Sequence, residues 1–171
     1  LLLIYDSKND GQLDKVRIYC DKVKNCQGLL ALNGDVFAIA DGPDGSALYR
    51  LSDADRDGTL ETIKTILKFD GPPGEHGPHG LTLGPDGLLY INVGNHSSVA
   101  KEIDPESPHR NFYEGDVVPR YEDPGGHAIG IKTPGGTILR TDIDGTVVQR
   151  FAGGLRNSYD LFFNSEGELF A

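Results

Sequence analysis

What most constrains this chain is a recurrence. Short apolar-alternating hairpins return at spacings that begin near 50 residues, and a period of roughly 40 to 50 residues is the mark of propeller-type repeats. One kind of segment runs from Leu29 to Ile39 around Asn33-Gly34-Asp35, from Leu81 to Val93 around Pro85-Asp86-Gly87, and from Leu161 to Phe170 around Ser165-Glu166-Gly167. In each, apolar residues alternate with polar or small ones, the period of a half-buried strand, and the interruption carries turn residues. A second kind ends in an acidic turn: residues 1–11, 47–58 and 137–145. Each of these continues into another alternating strand, Val16 to Tyr19, Ile63 to Phe69 and Val147 to Phe151.

The two kinds alternate along the chain and contribute two strands apiece. The expected fold is therefore all-β, with two strands, two complete four-stranded sets and two final strands. In propeller terms that is a β-propeller fragment of about two full blades plus two half blades, divided at 1–24, 25–75, 76–155 and 156–171. A ring needs roughly 4 to 8 blades, so the chain is expected to be a piece of something larger. Its start without Met inside an apolar run and its stop in mid-strand carry the same expectation.

Antiparallel neighbours reverse direction, so every second connection falls on the same side of a sheet. Counting back five residues from Leu30, Leu81 and Leu161 places Asn25, His76 and Arg156 at one equivalent loop position. The long connection of about 94–136 joins that side, and a connection of such length suits a lid or binding loop. All five histidines, His76, His79, His96, His109 and His127, lie in the two loop segments assigned there.

Composition narrows the classes. Sixteen basic against 26 acidic residues give a net charge of -10, with no Lys/Arg cluster, which argues against nucleic acid and anionic membrane as partners. No apolar run reaches membrane-spanning length, so this segment is not expected to insert. The 23 glycines and 10 prolines favour tight turns over long helices. Cys20 and Cys26 admit either a small disulfide or two buried thiols.

Three motifs carry chemistry. Asp53-Ala54-Asp55-Arg56-Asp57-Gly58 has the D-x-D-x-D-G spacing of a calcium loop, in which staggered carboxylates wrap a hard cation, with Glu61 as a further donor. Its twelfth position is Lys64 rather than Glu, so a plain Asx-type turn is the competing reading, and any ion there is expected to be structural. Arg156-Asn157 offers a permanently charged donor fork beside an amide, suited to a carboxylate or phosphate, or to bracing backbone carbonyls. An imidazole can take a proton from a substrate hydroxyl, so His76 can serve as a general base or as a hydrogen-bonded loop residue.

The segment from His76 to Asn95, H-G-P-H-G-L-T-L-G-P-D-G-L-L-Y-I-N-V-G-N, resembles the catalytic blade of the soluble quinoprotein glucose and aldose-sugar dehydrogenases. G-G-T-I-L-R-T-D-I-D-G, followed by G-L-R-N-S-Y-D-L, resembles their next blade. The whole chain is closer still to a group of membrane-bound dehydrogenase-type proteins of planctomycetes and their relatives. The resemblance implies a β-propeller of the six-bladed quinoprotein dehydrogenase type, in a secreted or periplasmic protein that oxidises a sugar or other alcohol with pyrroloquinoline quinone and calcium. It implies a c-type cytochrome as a possible electron acceptor. It assigns His76 as the base and Arg156 and Asn157 as quinone anchors, with Asn95 orienting His76 and His79 and His96 as further cofactor-facing residues. Where those enzymes carry Asp behind the histidine, this chain has Asn95, which orients an imidazole without lending it negative charge. Two alternatives stay open: a lactonase-like hydrolase holding a metal with Asn25, His76 and Asn95, and a non-catalytic glycan- or protein-binding module.

Overall fold

A computed structural model of the chain describes residues 1–71, 74–110 and 135–171. Most of the expected 94–136 connection, with His127, lies outside the described residues. Within them the chain is all-β: thirteen strands in antiparallel sheets and no helix.

The strands are β1 (Leu2–Tyr5), β2 (Lys15–Ile18), β3 (Lys24–Leu32), β4 (Asp35–Gly42), β5 (Gly45–Ser52), β6 (Thr62–Asp70), β7 (Pro78–Leu83), β8 (Leu89–Val93), β9 (Ser98–Val99), β10 (Gly136–Thr141), β11 (Val148–Leu155), β12 (Phe162–Phe163) and β13 (Leu169–Phe170). They form four sheets, ordered β1-β2, β3-β4-β5-β6-β9, β7-β8-β10-β11 and β12-β13. The hairpins close where the turn chemistry demands. Asn33 and Gly34 both adopt positive φ (54° and 87°), the backbone of a two-residue hairpin turn whose twist matches its strands, and Leu32 pairs with Asp35 across it.

The sheets pack as successive layers in chain order. Phe37, Ile39, Leu48 and Leu67 of the five-stranded sheet meet Leu81, Leu89, Ile91, Val93 and Leu139 of the next in one apolar cluster. Alternation sends Ala38, Ala40, Ala47, Tyr49 and Leu51 to the opposite face, where Cys20, Val23 and Leu60 cover them. Cys20 and Cys26 are free thiols at this layer. On the far side Tyr90 and Ile138 pack with Leu161, and Phe163 and Leu169 complete the layer. The fifth strand, β9, was not legible as a strand. Its two residues show no alternation, yet they cover the open edge of β6 through Phe69↔Val99 and Asp70↔Ser98.

The layers come closest where side chains are missing. A Cβ on Gly28 of β3 would lie 2.4 Å from the His79 carbonyl oxygen on β7, so only glycine lets the two backbones meet here. That contact holds the start of β7, and His79 on it, against the neighbouring sheet.

The β10-β11 turn is built on one carboxylate. Asp142 accepts the backbone N–H groups of Asp144, Thr146 and Val147 at 2.9 to 3.2 Å, and the Thr146 hydroxyl donates to it as well. Burial alone would raise its pKa, but the Thr146 hydroxyl and these N–H groups outweigh burial and hold it at about 2. A carboxyl depressed in the folded state contributes stability above its unfolded pKa of about 3.9 and loses it as pH falls toward 2. Asp142→Asn is accordingly expected to lower urea stability at pH 7 by about 1 kcal/mol, after allowance for solvent screening, and to converge on the parent near pH 2. A constant offset across that range would contradict this account of the turn.

Candidate functional site

The site is assembled at the N-terminal end of β7 from three stretches distant in sequence: 74–80, 94–97 and 155–160. Main-chain bonds set the frame. The Gly94 N–H donates to the Gly77 carbonyl at 2.7 Å and the His96 N–H to the His76 carbonyl at 3.2 Å. The Asn95 N–H donates to the Arg156 carbonyl at 3.0 Å, and the Gly80 N–H to the Tyr159 carbonyl at 2.9 Å. Gly94 is obligatory at this crossing, because a Cβ there would stand 2.4 Å from the His76 carbonyl oxygen and 2.6 Å from Asn157 Oδ1.

Two buried histidines occupy the frame, with 4% and 1% of their surfaces exposed for His76 and His79. His76 Nδ1 lies 2.6 Å from Asn95 Oδ1, so Nδ1–H is the donor, and in the neutral form of the ring the lone pair is then on Nε2. The His96 ring stacks on it, with centroids 4.4 Å apart and planes 25° from parallel. His79 takes the opposite tautomer. Its Nε2–H faces the Glu75 carbonyl at 2.9 Å and Asn157 Oδ1 at 2.8 Å, which leaves the lone pair on Nδ1. That Nδ1 is buried and has no hydrogen-bond partner among the described residues.

Asn157 is the brace. Its Oδ1 receives His79 and its Nδ2 donates to the Glu75 carbonyl at 2.7 Å, so both ends of the amide are engaged. Tyr159 adds a second brace, stacking on His79 at 4.1 Å and donating its hydroxyl to the same carbonyl at 3.3 Å. Arg156 contributes its carbonyl to Asn95, and its side chain is exposed.

His76, His79, Asn95, His96 and Asn157 thus form one contiguous network, with Arg156 joined through its backbone. Asn25, the third equivalent position in the repeat, is not part of it. It takes a left-handed conformation (φ 51°) and donates its amide to Asp41 Oδ2 at 2.7 Å. His109 docks on β11 by donating its N–H to the Arg150 carbonyl at 3.0 Å. Tyr159 and the Glu75 carbonyl were not singled out by the sequence, since only the folded chain brings residues more than 80 positions apart into contact.

The acidic turn sits at the other end of β6, a nine-residue strand of roughly 30 Å. One ligand atom from each of Asp53, Asp55, Asp57 and Glu61 lies within 4.8 Å of the others, close enough to hold a cation together. The carboxylates also have protein partners. Asp53 accepts the Asp57 and Gly58 N–H groups, Asp57 accepts Thr59, and Glu61 accepts Ala54. The Arg17 guanidinium packs directly over Gly58, and with the Thr59 bonds it helps keep the Asp57 carboxyl below its usual range.

A family model described as a domain of unknown function (DUF7133) matches residues 1–170. The chain belongs to this family. Comparison with curated proteins finds no match. The family assignment therefore covers all the elements that build the site, and any chemistry has to be argued from the geometry.

Asn157→Ala is expected to destabilise the chain by about 1–3 kcal/mol in urea unfolding, because it strips partners from the buried His79 and from the Glu75 carbonyl. Arg156→Ala, which keeps the backbone bond to Asn95, should cost less than Asn157→Ala. Equal effects of the two changes would remove Asn157 from its bracing role.

Proposed function

We propose that this chain is part of a β-propeller of the six-bladed quinoprotein dehydrogenase type, and that the histidine network is the site at which a sugar or other alcohol is oxidised. The layered order of two strands, two larger sheets and two strands supports the propeller reading. The exposed apolar residues of the outermost sheets, Leu2, Ile4 and Ile18 at one end and Phe162 and Phe170 at the other, suit surfaces that further blades would cover.

The observation that carries the catalytic reading is the His76–Asn95 bond. It fixes the ring and assigns the lone pair to Nε2, the atom that would take the proton from a substrate hydroxyl. Asn95 orients His76 but adds no negative charge, so the imidazolium formed by proton transfer gains no ion pair from this neighbour. His96 limits ring rotation from the stacked side.

Pyrroloquinoline quinone, when bound, would supply the hydride acceptor. Its carboxylates fit a donor set with a permanent exposed cation, which is what Arg156 offers, and His96 lies beside it on the same frame. Asn157 and His79 support that frame from behind, since the Asn157 amide and the His79 Nε2–H are already engaged within it. Calcium at Asp53, Asp55, Asp57 and Glu61 would be structural, because the acidic turn lies a strand length away from the histidines. A c-type cytochrome acceptor and a periplasmic or secreted location belong to the same proposal.

The test is reconstitution of the protein with pyrroloquinoline quinone and calcium, followed by dye reduction with a panel of sugars and alcohols. His76→Ala should reduce turnover by about 10²–10⁴-fold. Asn95→Asp places a carboxylate on Nδ1–H, raises the imidazole pKa and should move the acid limb of the rate profile to higher pH. Undiminished turnover in His76→Ala would end the catalytic assignment, and absence of quinone binding would end the cofactor assignment.

A further inference from the structure

The turn that carries His76 has a second side. Where β3 begins, its pairing with β4 jumps from Lys24↔Asp41 to Gly28↔Ile39, so three residues of β3 stand opposite the single residue Ala40. Asn25 enters this bulge at positive φ and swings its amide onto Asp41. The strands part and leave a cavity of about 170 Å³, walled on the opposite side by Gly74 and Pro78, the residues that flank the His76 turn. A single water needs only about 10–15 Å³ on this measure, so the space suits a small organic molecule.

Its lining has a definite chemistry. Asp41 is an acceptor, Ser46 and Gln27 both donate and accept, and Ile39, Ala40 and Pro78 supply apolar surface. Among the described residues no Lys, Arg or His lines the cavity, so a carboxylate or phosphate would meet the Asp41 charge without a cation from them to offset it. Vicinal hydroxyls, which donate to one neighbour and accept from the next, match the polar groups, while a C–H face matches the apolar surface. We infer that this cleft is a binding subsite for a neutral polyol or monosaccharide, separate from the histidine network. The fate of a bound sugar rests on the dehydrogenase reading, but its capture rests on the cleft alone.

The experiment is titration of the purified, quinone-free chain with D-glucose, D-xylose and glycerol, followed by amide and side-chain shifts in ¹H-¹⁵N spectra. D-gluconate and D-glucosamine serve as charged counterparts. Neutral sugars should saturate shifts at Gln27, Ala40 and Ser46, and gluconate should not. Asp41→Ala should weaken binding about tenfold, as expected for loss of a charged acceptor. Because that change also releases Asn25, the exposed Gln27→Ala provides a second variant, expected to weaken binding several-fold in a chain whose remaining spectrum is unchanged. His76→Ala should retain these shifts, so that failure of the redox reaction and failure of the cleft are told apart. Absence of saturable shifts with all three neutral compounds would overturn the inference. So would unchanged affinity in both variants, or binding of glucosamine alone.

Discussion

The carbonyl oxygen of Glu75 is the point on which the site depends. Asn157 Nδ2, His79 Nε2 and the Tyr159 hydroxyl all direct hydrogens toward it, at 2.7, 2.9 and 3.3 Å. Two of those donors come from more than 80 residues away. Glu75 is itself exposed, so the gain is that of the bonds made, about 0.5–1.5 kcal/mol for each. The chain therefore gains by closing this crossing, and closing it brings 74–80 and 155–160 together. Stretch 94–97 joins through the Asn95 N–H bond to Arg156 and the His96 N–H bond to His76. The opposite tautomers of the two histidines then follow from which acceptor each ring faces.

Packing supplies the rigidity that hydrogen bonds alone would not. The crossing rests on β7 and β8, whose inward residues Leu81, Leu89, Ile91 and Val93 are shared with the five-stranded sheet in one cluster. Gly28, Gly80 and Gly94 remove the side chains that would keep the backbones apart, since a Cβ at each would come within 3 Å of a backbone oxygen. Dense interiors transmit strain rather than absorb it. The close approach of β3 to β7 thus links the bulge at Asn25–Gln27 mechanically to the turn that holds His76.

Much of the fold was legible because it is local. The hairpins at Asn33-Gly34 and Pro85-Asp86-Gly87 announce themselves by turn residues and alternation, and the order of hairpin types gives the strand content of the sheets. β9 was not legible, because two residues carry no period and their strand character comes from the edge they cover. In the site, sorting loops by strand direction put His76, His79 and His96 on one side, while Asn95 and Asn157 entered through the family resemblance. The fate of Asn25 did not. Its sequence offset matches that of His76, but the bulge before Gly28 turns it onto Asp41, and nothing in the alternation of β3 encodes that bulge. Asn157, a quinone anchor by the resemblance, has its amide engaged with His79 and Glu75 across a sequence separation that only the folded chain closes.

The central claim is that the crossing locks two adjacent histidines in opposite tautomers, with the base-ready lone pair of His76 on Nε2. Imidazole ¹⁵N shifts at neutral pH, assigned to each ring in the folded protein, test it most directly. The account predicts a protonated Nδ1 for His76 and a protonated Nε2 for His79, each with little averaging between forms. A mixture like that of free imidazole at both positions, or a protonated Nε2 on His76, would contradict it.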